Sequence, residues 1–450
     1  MKVHMIGIGG AGMSSVAEVL HKGGDDITGS DLKESPNTRR LRAAGMRVYI
    51  GHAAHQIGDA EEVVISTAIP STNPELLEAR RRRIPVVPRA AALARILAGG
   101  QKSIAVAGTH GKTTTTSMIT HALKYLGEDP TALIGGELND IGSNVVAGGS
   151  DLFVAEADES DRSLLYLKPR AAVVTNVEFE HPDFYASLDD VLKVFERFVG
   201  ALPSDGHLVT CADDSQCLKL AALAPCPVTT YGLSAGDLRA KILSPSLYAF
   251  VEDGEERGTI ELGVAGRHNA RNSLAAASVA RWLGHDAYAA AASLMSFSGV
   301  RRRFQLKGQR GEIRIVDDYA HHPTELSATL EVARALFSAE GRVIAVFQPH
   351  RYSRTRALYR EFGEVLTLAD AVLVTDVYGA GEMPQPGVSG KLVVDAVCEN
   401  PVRPDVYYIP DQHDIPGVLH AIAEPKDTIL TMGAGDVSQV GDELLSMLSS

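Results

Sequence analysis

Residues 104–114 read IAVAGTHGKTT, an apolar run followed by a glycine-rich turn and a Lys-Thr-Thr sequence. The run predicts a buried strand, and the residues from about 112 to 126 predict a helix. Successive backbone N–H groups of such a turn can hold phosphate oxygens, a lysine can neutralise the β- and γ-phosphates, and a threonine hydroxyl can bind Mg²⁺. Two residues separate the glycines here, whereas the general P-loop has four. The stretch predicts an ATP site formed by Gly108, Thr109, His110, Gly111, Lys112, Thr113 and Thr114.

A second glycine loop lies near the start of the chain. Residues 7–12 read GIGGAG, which fits the G-x-G-x-x-G spacing after an apolar strand and before a helix. The glycines let the backbone approach a pyrophosphate, and Asp31, 19 residues after Gly12, could accept a hydrogen bond from a ribose hydroxyl. The motif predicts nucleotide binding without specifying the nucleotide, and a purely structural turn is the alternative.

The rest of the chain alternates between strand-like and helix-like apolar runs. This alternation predicts parallel sheets covered by helices, and its interruptions divide the chain into three α/β domains at 1–98, 99–298 and 299–450. Between about 207 and 264 short alternating strands with tight turns predict an antiparallel edge on the middle sheet.

Composition excludes several classes of protein. The 450 residues include 43 basic and 56 acidic side chains, so the formal net charge is −13 and there is no chain-wide attraction to nucleic acid or anionic lipid. No run of 18 apolar residues predicts a membrane span. The four cysteines form no C-x-x-C pair and predict reduced thiols, which are typical of the cytoplasm. From the charge, the lack of a long apolar run and the cysteines together, we expect a cytoplasmic protein that binds neither nucleic acid nor membrane.

Carboxylates and a histidine follow two further strands of the middle domain. Residues 152–155 run into a cluster at Glu156, Asp158, Glu159 and Asp161, and residues 173–176 precede Glu178, Glu180 and His181. The carboxyl ends of parallel strands meet at one edge of a sheet, and Mg²⁺ prefers oxygen ligands. We therefore expect metal ligands at Thr113, Glu156 and His181, with one Mg²⁺ on Thr113 and Glu156 and a second near His181. A histidine after a strand can also be a capping or core residue.

Two strand ends of the third domain carry histidines and arginines. Residues 317–323 read DDYAHHP, and residues 348–356 read QPHRYSRTR. A guanidinium group binds a carboxylate or phosphate through two hydrogen bonds, so these loops predict an anion site, with a solvated loop as the alternative. No residue suggests a covalent enzyme intermediate.

Taken together, the motifs resemble those of the Mur ligases, the ATP-dependent amino-acid ligases of peptidoglycan synthesis. The resemblance covers nearly the whole chain and rests on residues 7–13, 108–114, 156–161, 175–176 with His181, 266–269, 317–323 and 348–355. It implies a Rossmann-like UDP-substrate domain, a central P-loop-type ATPase domain and a Rossmann-like C-terminal domain. The opening glycine loop and the HRYSRT run favour the family members that add alanine.

The resemblance also implies roles for single residues. The UDP-sugar would contact Gly9, Gly10, Ala11, Gly12, Met13, Ser30, Asp31, His52, Ser66, Thr67 and Ala68. Asn269 would contact the adenine, Asp317 the ribose, and Arg303 the nucleotide. The residues expected to act on the reacting groups are Lys112, Glu156, His181, His321, His322, Arg351 and Arg354, of which the last four would hold substrate carboxylates. Glu180 stands where many relatives have aspartate, and its role is open.

The activity that the resemblance implies is ATP- and Mg²⁺-dependent ligation of L-alanine to the carboxylate of UDP-N-acetylmuramate through an acyl phosphate. Three alternatives remain: a sister ligase that attaches a recycled tripeptide to the same UDP-sugar, an NAD-dependent dehydrogenase that uses the first glycine loop, and a nucleotide-gated binding protein. The sequence makes no prediction about the oligomeric state.

Overall fold

The computed structural model describes residues 1–66, 68–98, 102–139, 143–160, 162–339 and 341–448. Its strands form three separate sheets that follow one another along the chain. Helices cover the sheets, as the alternating pattern predicts, and the predicted α/β class is confirmed. The predicted boundary at 98 and 99 borders residues 99–101, which lie outside the described residues, and the exact domain limits stay a prediction.

The first sheet has the order β3-β2-β1-β4-β5, and all its strands are parallel. The order reverses between β1 and β4, and in open parallel sheets ligands bind at such a switch point. The strands are β1 (Lys2–Ile6), β2 (Asp26–Asp31), β3 (Arg47–Ile50), β4 (Glu62–Ile65) and β5 (Val86–Pro88). The helices are α1 (Ala11–Lys22), α2 (Pro36–Ala43), α3 (Pro74–Arg81) and α4 (Arg89–Ala98).

The second sheet has ten strands in the order β15-β14-β13-β12-β11-β10-β6-β9-β7-β8. Its strands are β6 (Lys102–Ala107), β7 (Thr131–Leu138), β8 (Ser143–Val146), β9 (Leu152–Glu156), β10 (Ala171–Val174), β11 (His207–Cys211), β12 (Val228–Gly232), β13 (Leu238–Ile242), β14 (Leu247–Glu252) and β15 (Glu255–Glu261). Its helices are α5 (Lys112–Tyr125), α6 (Leu188–Gly200), α7 (Ser215–Leu223), α8 (Arg267–Trp282) and α9 (Ala287–Ser293).

The antiparallel edge of this sheet is shorter than the sequence predicts. Strands β13, β14 and β15 pair antiparallel, which confirms the prediction for that part of the chain. Strands β11 and β12 instead pair parallel, because α7 between them makes a crossover connection. A second antiparallel pair, β7 and β8, lies at the opposite edge and was not predicted.

The third sheet has the order β16-β17-β21-β18-β19-β20 and is parallel except for the edge pair β16 and β17. Its strands are β16 (Gln305–Arg310), β17 (Ile313–Asp318), β18 (Val343–Phe347), β19 (Ala371–Val374), β20 (Asp405–Tyr408) and β21 (Thr428–Met432). Its helices are α10 (Pro323–Phe337), α11 (Tyr352–Leu366), α12 (Gly390–Cys398), α13 (Ile415–Ile422) and α14 (Ser438–Met447).

Strand order explains how distant parts of the chain reach one site. In the second sheet β10, β6 and β9 are neighbours, so the glycine turn after β6 lies between the residues that follow the other two strands. In the third sheet β17 and β18 flank β21, which brings residues 317–323 and 348–356 to the same edge. Of the helices in the described part of the chain, none combines the length and apolar character needed to cross a bilayer.

Candidate active site

The glycine turn after β6 is held in shape by the residues that follow β10. Thr175 Oγ1 donates to the His110 carbonyl at 2.6 Å, and Asn176 Oδ1 accepts from the His110 N–H at 2.8 Å. Gly108 has φ +134°, and a Cβ at this position would lie 2.0 Å from Thr175 Oγ1. The close approach of Thr175 therefore requires glycine at position 108, and the backbone of the turn is preformed.

Lys112 begins α5 and forms a buried ion pair with Glu159. Its Nζ donates to the two Glu159 carboxylate oxygens at 3.0 and 2.7 Å and to the Gly108 carbonyl at 2.6 Å. Burial raises the pKa of Glu159 to about 7, although the neighbouring ammonium opposes this shift. Burial would lower the pKa of Lys112, but Glu159, Asp158 and Glu156 outweigh it and raise that pKa, so the ammonium stays charged.

Two groups of metal-binding side chains lie beside this lysine. Thr113 Oγ1 and the Gly135 N–H both donate to Glu156 Oε2, at 2.9 and 2.8 Å. His181, which has φ +56°, lies with Asp158 and Glu159 in a second group, whose ligand atoms are all within 4.8 Å of one another. The sequence predicts a second metal ion near His181, apart from the one at Thr113 and Glu156. Here Asp158 and Glu159 are the carboxylates adjacent to the histidine.

A magnesium ion suits this donor set. Thr113, Glu156 and Asp158 supply oxygen atoms, the ligands that Mg²⁺ prefers. His181 Nε2 lies 3.8 Å from Glu159 Oε1, so this nitrogen is next to the carboxylates and adds a nitrogen donor to the set. The residues present therefore fit the predicted metal.

A central cavity of about 460 Å³ lies between the domains of the second and third sheets. Lys112, Thr113, Glu156 and His181 line it from one side. The residues that line it from the third domain are Val300, Arg301, Arg302, Arg303, Tyr319, His321, Glu325, His350, Arg351, Arg354 and Ala434.

The two adjacent histidines of the third domain have different environments. His321 lines the central cavity, and its Nδ1 donates to the Tyr319 carbonyl at 2.9 Å. Burial lowers the pKa of His321 to about 4, so the ring is neutral and its Nε2 carries a lone pair. His322 is buried, accepts from the Thr324 N–H as the N-cap of α10, and is not among the residues that line the cavity. The sequence left open which of the two histidines contacts substrate, and of the two only His321 faces the central cavity.

Both predicted anion-binding arginines form ion pairs across the domain boundary. Arg354 donates to the Glu180 carboxylate from Nε at 2.9 Å and from Nη2 at 3.1 Å. Arg351 Nη1 donates to Asp183 Oδ2 at 2.5 Å. Burial would raise the pKa of Glu180, but Arg354 outweighs it and lowers that pKa, so the carboxylate is ionised. Glu180, whose role the sequence left open, thus binds the third domain.

His110 of the glycine turn lies between carboxylates of two domains. Its Nε2 is 3.5 Å from Glu178 Oε2, and its Nδ1 is 3.3 Å from Glu325 Oε1. Burial would lower the pKa of His110, but the two carboxylates raise it to about 9. Thr324 Oγ1 also donates to Glu178 Oε2 at 2.7 Å. The turn is therefore linked by charge to α10.

A neighbouring cavity of about 320 Å³ contains the predicted nucleotide residues Asn269 and Arg303, together with Gly111 and Thr114 of the turn. Asp318 lines it, and burial raises the pKa of that carboxyl to about 6. Asp317, predicted to bind the ribose, is not among its lining residues. Arg302 Nε donates to Asp317 Oδ2 at 3.0 Å, and Thr431 Oγ1 donates to Oδ1 at 2.7 Å. Asp318 likewise accepts from the Phe304 and Ala320 N–H groups, at 2.7 Å each, so the two carboxyls differ in that only Asp318 is among the residues that line the cavity.

The first domain has its own cavity, of about 410 Å³, at the switch point between β1 and β4. Six of the predicted substrate residues line it: Gly10, Ala11, Gly12, Met13, Ser66 and Ala68. Thr67, also predicted, lies outside the described residues. Arg89 and Tyr166 line the cavity as well, and the sequence analysis missed both. Arg89 follows β5 directly, so the rule that ligands bind at strand ends could have identified it.

Four other predicted substrate residues do not line this cavity. Asp31 Oδ2 accepts from the Gly9 N–H at 2.8 Å and so holds the glycine loop. Ser30 is fully buried, and its Oγ donates to Glu75 Oε2 at 2.5 Å and lies 2.9 Å from His52 Nδ1. These contacts support the glycine loop and the strand beside it. Direct contact of Gly9, Ser30, Asp31 and His52 with the UDP-sugar stays a prediction.

A smaller cavity of about 220 Å³ connects the first domain with the central site. Its lining shares Gly12 and Arg89 with the cavity at the glycine loop. At its other end Gly135, Glu156 and Asp158 also line the central cavity. The cavities thus follow one another from the first glycine loop to the second and then to the loops of the third domain.

Comparisons with known proteins agree with this arrangement. Residues 2–101 match the description "Mur ligase family, catalytic domain", residues 106–280 "Mur ligase middle domain", and residues 302–435 "Mur ligase, glutamate ligase domain". The chain is 70% identical to the UDP-N-acetylmuramate--L-alanine ligase of Rubrobacter xylanophilus, with 100% of each chain covered. It is 46% identical to the enzyme of that name from Pelotomaculum thermopropionicum, which covers 99% of this chain and 97% of the relative.

Solved structures show the same similarity. UDP-N-acetylmuramate-alanine ligase from Thermotoga maritima has a TM-score of 0.83 and 30% identity, and covers 100% of this chain and 99% of its own. A murein peptide ligase from Psychrobacter arcticus has a TM-score of 0.73 and 26% identity, over 100% and 99% of the two chains.

Proposed function

This chain belongs to the Mur ligase family, and we propose that it joins L-alanine to the carboxylate of UDP-N-acetylmuramate with cleavage of ATP to ADP and phosphate. The observation that carries the proposal is the series of cavities, because it connects a sugar-nucleotide site, a phosphate-binding turn and a third-domain site. The identity of 70% over the full length with an alanine-adding ligase supports alanine over a peptide as the added group.

The reaction requires activation of a carboxylate. In the proposed path an oxygen of the muramyl carboxylate attacks the γ-phosphorus of ATP, ADP leaves, and an acyl phosphate forms. The alanine amine then attacks the acyl carbon, loses a proton, and phosphate leaves. Two anions meet in the first step, so cationic groups at the turn lower its barrier.

The P-loop side chains supply that charge. Lys112 would contact the β- and γ-phosphates, and the backbone N–H groups of the turn would hold their oxygens. Thr113, Glu156, Asp158 and His181 would hold Mg²⁺, which, when bound, neutralises phosphate charge. Asn269, Arg303 and Asp318 would contact the adenosine part of ATP, since they line the cavity next to the turn.

The third domain would bind the alanine. Arg351 lines the central cavity and suits its carboxylate. His321 was predicted to bind a carboxylate as well, but its neutral ring presents an unshared pair at Nε2. We propose instead that Nε2 accepts a hydrogen bond from the alanine amine, with the Glu180 carboxylate 3.9 Å from that nitrogen. Arg354 would act indirectly by holding Glu180.

We retain the ranges 1–98, 99–298 and 299–450 as the UDP-substrate, ATP and amino-acid domains, and the cytoplasm, where ATP is available, as the site of the reaction. The test is a phosphate-release assay with ATP, Mg²⁺, UDP-N-acetylmuramate and one amino acid or peptide at a time. We expect release with L-alanine. Release with a tripeptide and not with alanine would identify the sister ligase, and release independent of any amine would contradict ligation.

A further inference from the structure

Arg89 is the one charged residue among the described residues that line the 410 Å³ cavity at the first glycine loop. It is the first residue of α4, directly after β5. Within the described part of the chain its guanidinium group has no hydrogen bond or ion pair, and it lies beside Gly12. None of the described residues that line this cavity carries a carboxylate, so none of them offers the cation a counter-charge there.

The beginning of α1 adds to this positive potential. Helix α1 starts at Ala11, has no acidic residue in its first turn, and receives no side-chain cap from Gly10. Its first N–H groups therefore lack partners within the helix and carry part of the helix dipole. An arginine and an uncapped helix N-terminus that line one cavity without a carboxylate form a site for an anion.

Gly12 makes room for the arginine. A Cβ built at position 12 would lie 2.2 Å from Arg89 Nη1, which is far closer than two such atoms can approach. In dinucleotide-binding loops the third glycine serves close packing of helix and strand. In this chain it lets the guanidinium group pack on the first turn of α1.

We propose that Arg89 binds the diphosphate of the sugar nucleotide and that Gly12 is required to keep its guanidinium group in place. The inference rests on the proposed function only for the identity of the sugar nucleotide. Because Arg89 also lines the connecting cavity that reaches Glu156, a diphosphate held there directs the sugar toward the central site.

The test measures equilibrium binding of UDP, UDP-N-acetylglucosamine and UDP-N-acetylmuramate, with no turnover required. Arg89→Met keeps the length of the side chain and removes its charge. We expect a loss of about 10- to 100-fold for all three ligands, as charge-assisted hydrogen bonds are lost. Arg89→Lys should lose less, because it keeps the charge but not the planar pair of donors. Arg39→Met, an exposed position on α2, is the matched control and should bind all three normally.

Gly12→Ala provides a second, independent variant. Alanine favours helix, so the substitution should not unfold α1, yet it displaces the guanidinium group. We expect weaker binding of all three ligands, and a smaller effect of Gly12→Ala when Arg89 is already methionine. ATP binding should be unchanged in every variant, which verifies folding. If Arg89→Met fails to fold, Arg89→Lys and Gly12→Ala decide the question.

A loss confined to UDP-N-acetylmuramate would assign Arg89 to the muramyl carboxylate and overturn the proposal. Unchanged binding in Arg89→Met, or fully additive effects of the two substitutions, would overturn it too. A wild-type protein that binds these ligands but transfers no alanine would sink the proposed function and leave the Arg89 assignment intact.

Discussion

Arg354 and Glu180 form a two-bond ion pair that joins the third domain to the second, with N–O distances of 2.9 and 3.1 Å and side chains only 2% and 4% exposed. Removal of one partner of a buried pair leaves the other charge desolvated, at a cost of about 3 kcal/mol or more. We expect Glu180→Gln to lower the denaturant midpoint and to speed hydrogen exchange at the start of α11. Asp205→Asn, which breaks the exposed pair with Arg170, should cost under about 1 kcal/mol. Equal effects of the two substitutions would contradict a role of Glu180 in domain contact.

Lys112→Ala should abolish ligation and leave UDP-sugar binding intact. The lysine lies at the phosphate-binding turn, distant along the series of cavities from the first glycine loop. Loss of a preorganised charge costs roughly 100-fold or more in rate. The measurements are phosphate release and calorimetric binding of UDP-N-acetylmuramate. Near-normal turnover of the variant would refute the role of Lys112.

Glu156→Gln should weaken the response to Mg²⁺. The carboxylate accepts from Thr113 and Gly135, and the substitution removes its charge while keeping its shape. We expect the Mg²⁺ concentration for half-maximal rate to rise by about tenfold or more, the equivalent of about 1.4 kcal/mol. Asp151→Asn, an exposed carboxylate just before the opposite end of β9, serves as the control. An unchanged Mg²⁺ dependence in Glu156→Gln would remove this residue from the metal site.

The His110 ion pairs predict a change of stability above neutral pH. The pKa of His110 is raised from 6.5 to about 9, so the stabilisation from its charge is complete below pH 6.5 and is lost as the pH rises through about 9. The pKa of its partner Glu178 is lowered to about 2, so that group does not titrate in this window. The thermal midpoint of the wild type should fall toward that of His110→Gln between pH 6.5 and 9. A constant difference between the two proteins across this range would show that His110 is not charged.

Asp318 and Asp317 offer a comparison of adjacent carboxylates. Asp318→Asn should weaken ATP binding, by roughly tenfold for one hydrogen bond from a charged group. Asp317→Asn should lower stability through its contacts with Arg302 and Thr431 and leave ATP affinity within about twofold. Calorimetric titration with ATP distinguishes the two. The opposite pattern would restore the assignment made from the sequence.

Local motifs predicted the phosphate-binding turn, because its glycines, lysine and threonine are consecutive in the chain. The strand-end rule correctly brought Glu156 and Asn176 to the edge where this turn lies. Which of two neighbouring side chains faces a cavity was harder to predict. The side chains of Asp317 and Asp318 lie on opposite faces of β17. Which of the two faces the cavity depends on contacts with Arg302 and Thr431, and sequence patterns do not predict those contacts.

Long-range contacts explain the other differences. Ser30 lies near the end of β2, but its partner Glu75 lies 45 residues further along the chain, on a helix whose packing the sequence does not specify. Arg89 follows a strand of only three residues. The sequence analysis interpreted this stretch as the end of the first domain and therefore did not identify Arg89 as a binding residue. To predict the parallel pairing of β11 and β12, one must first recognise α7 in the sequence, and this helix has only nine residues.

The ion pair of Lys112 with Glu159 bears on how strongly ATP can be held. The Lys112 ammonium is already paired with the Glu159 carboxylate, so a phosphate oxygen that binds this ammonium must displace that carboxylate. Part of the electrostatic attraction is therefore offset by the loss of the contact with Glu159. Nucleotide binding would then exchange one anion for another at the same ammonium, which limits the net affinity that Lys112 contributes.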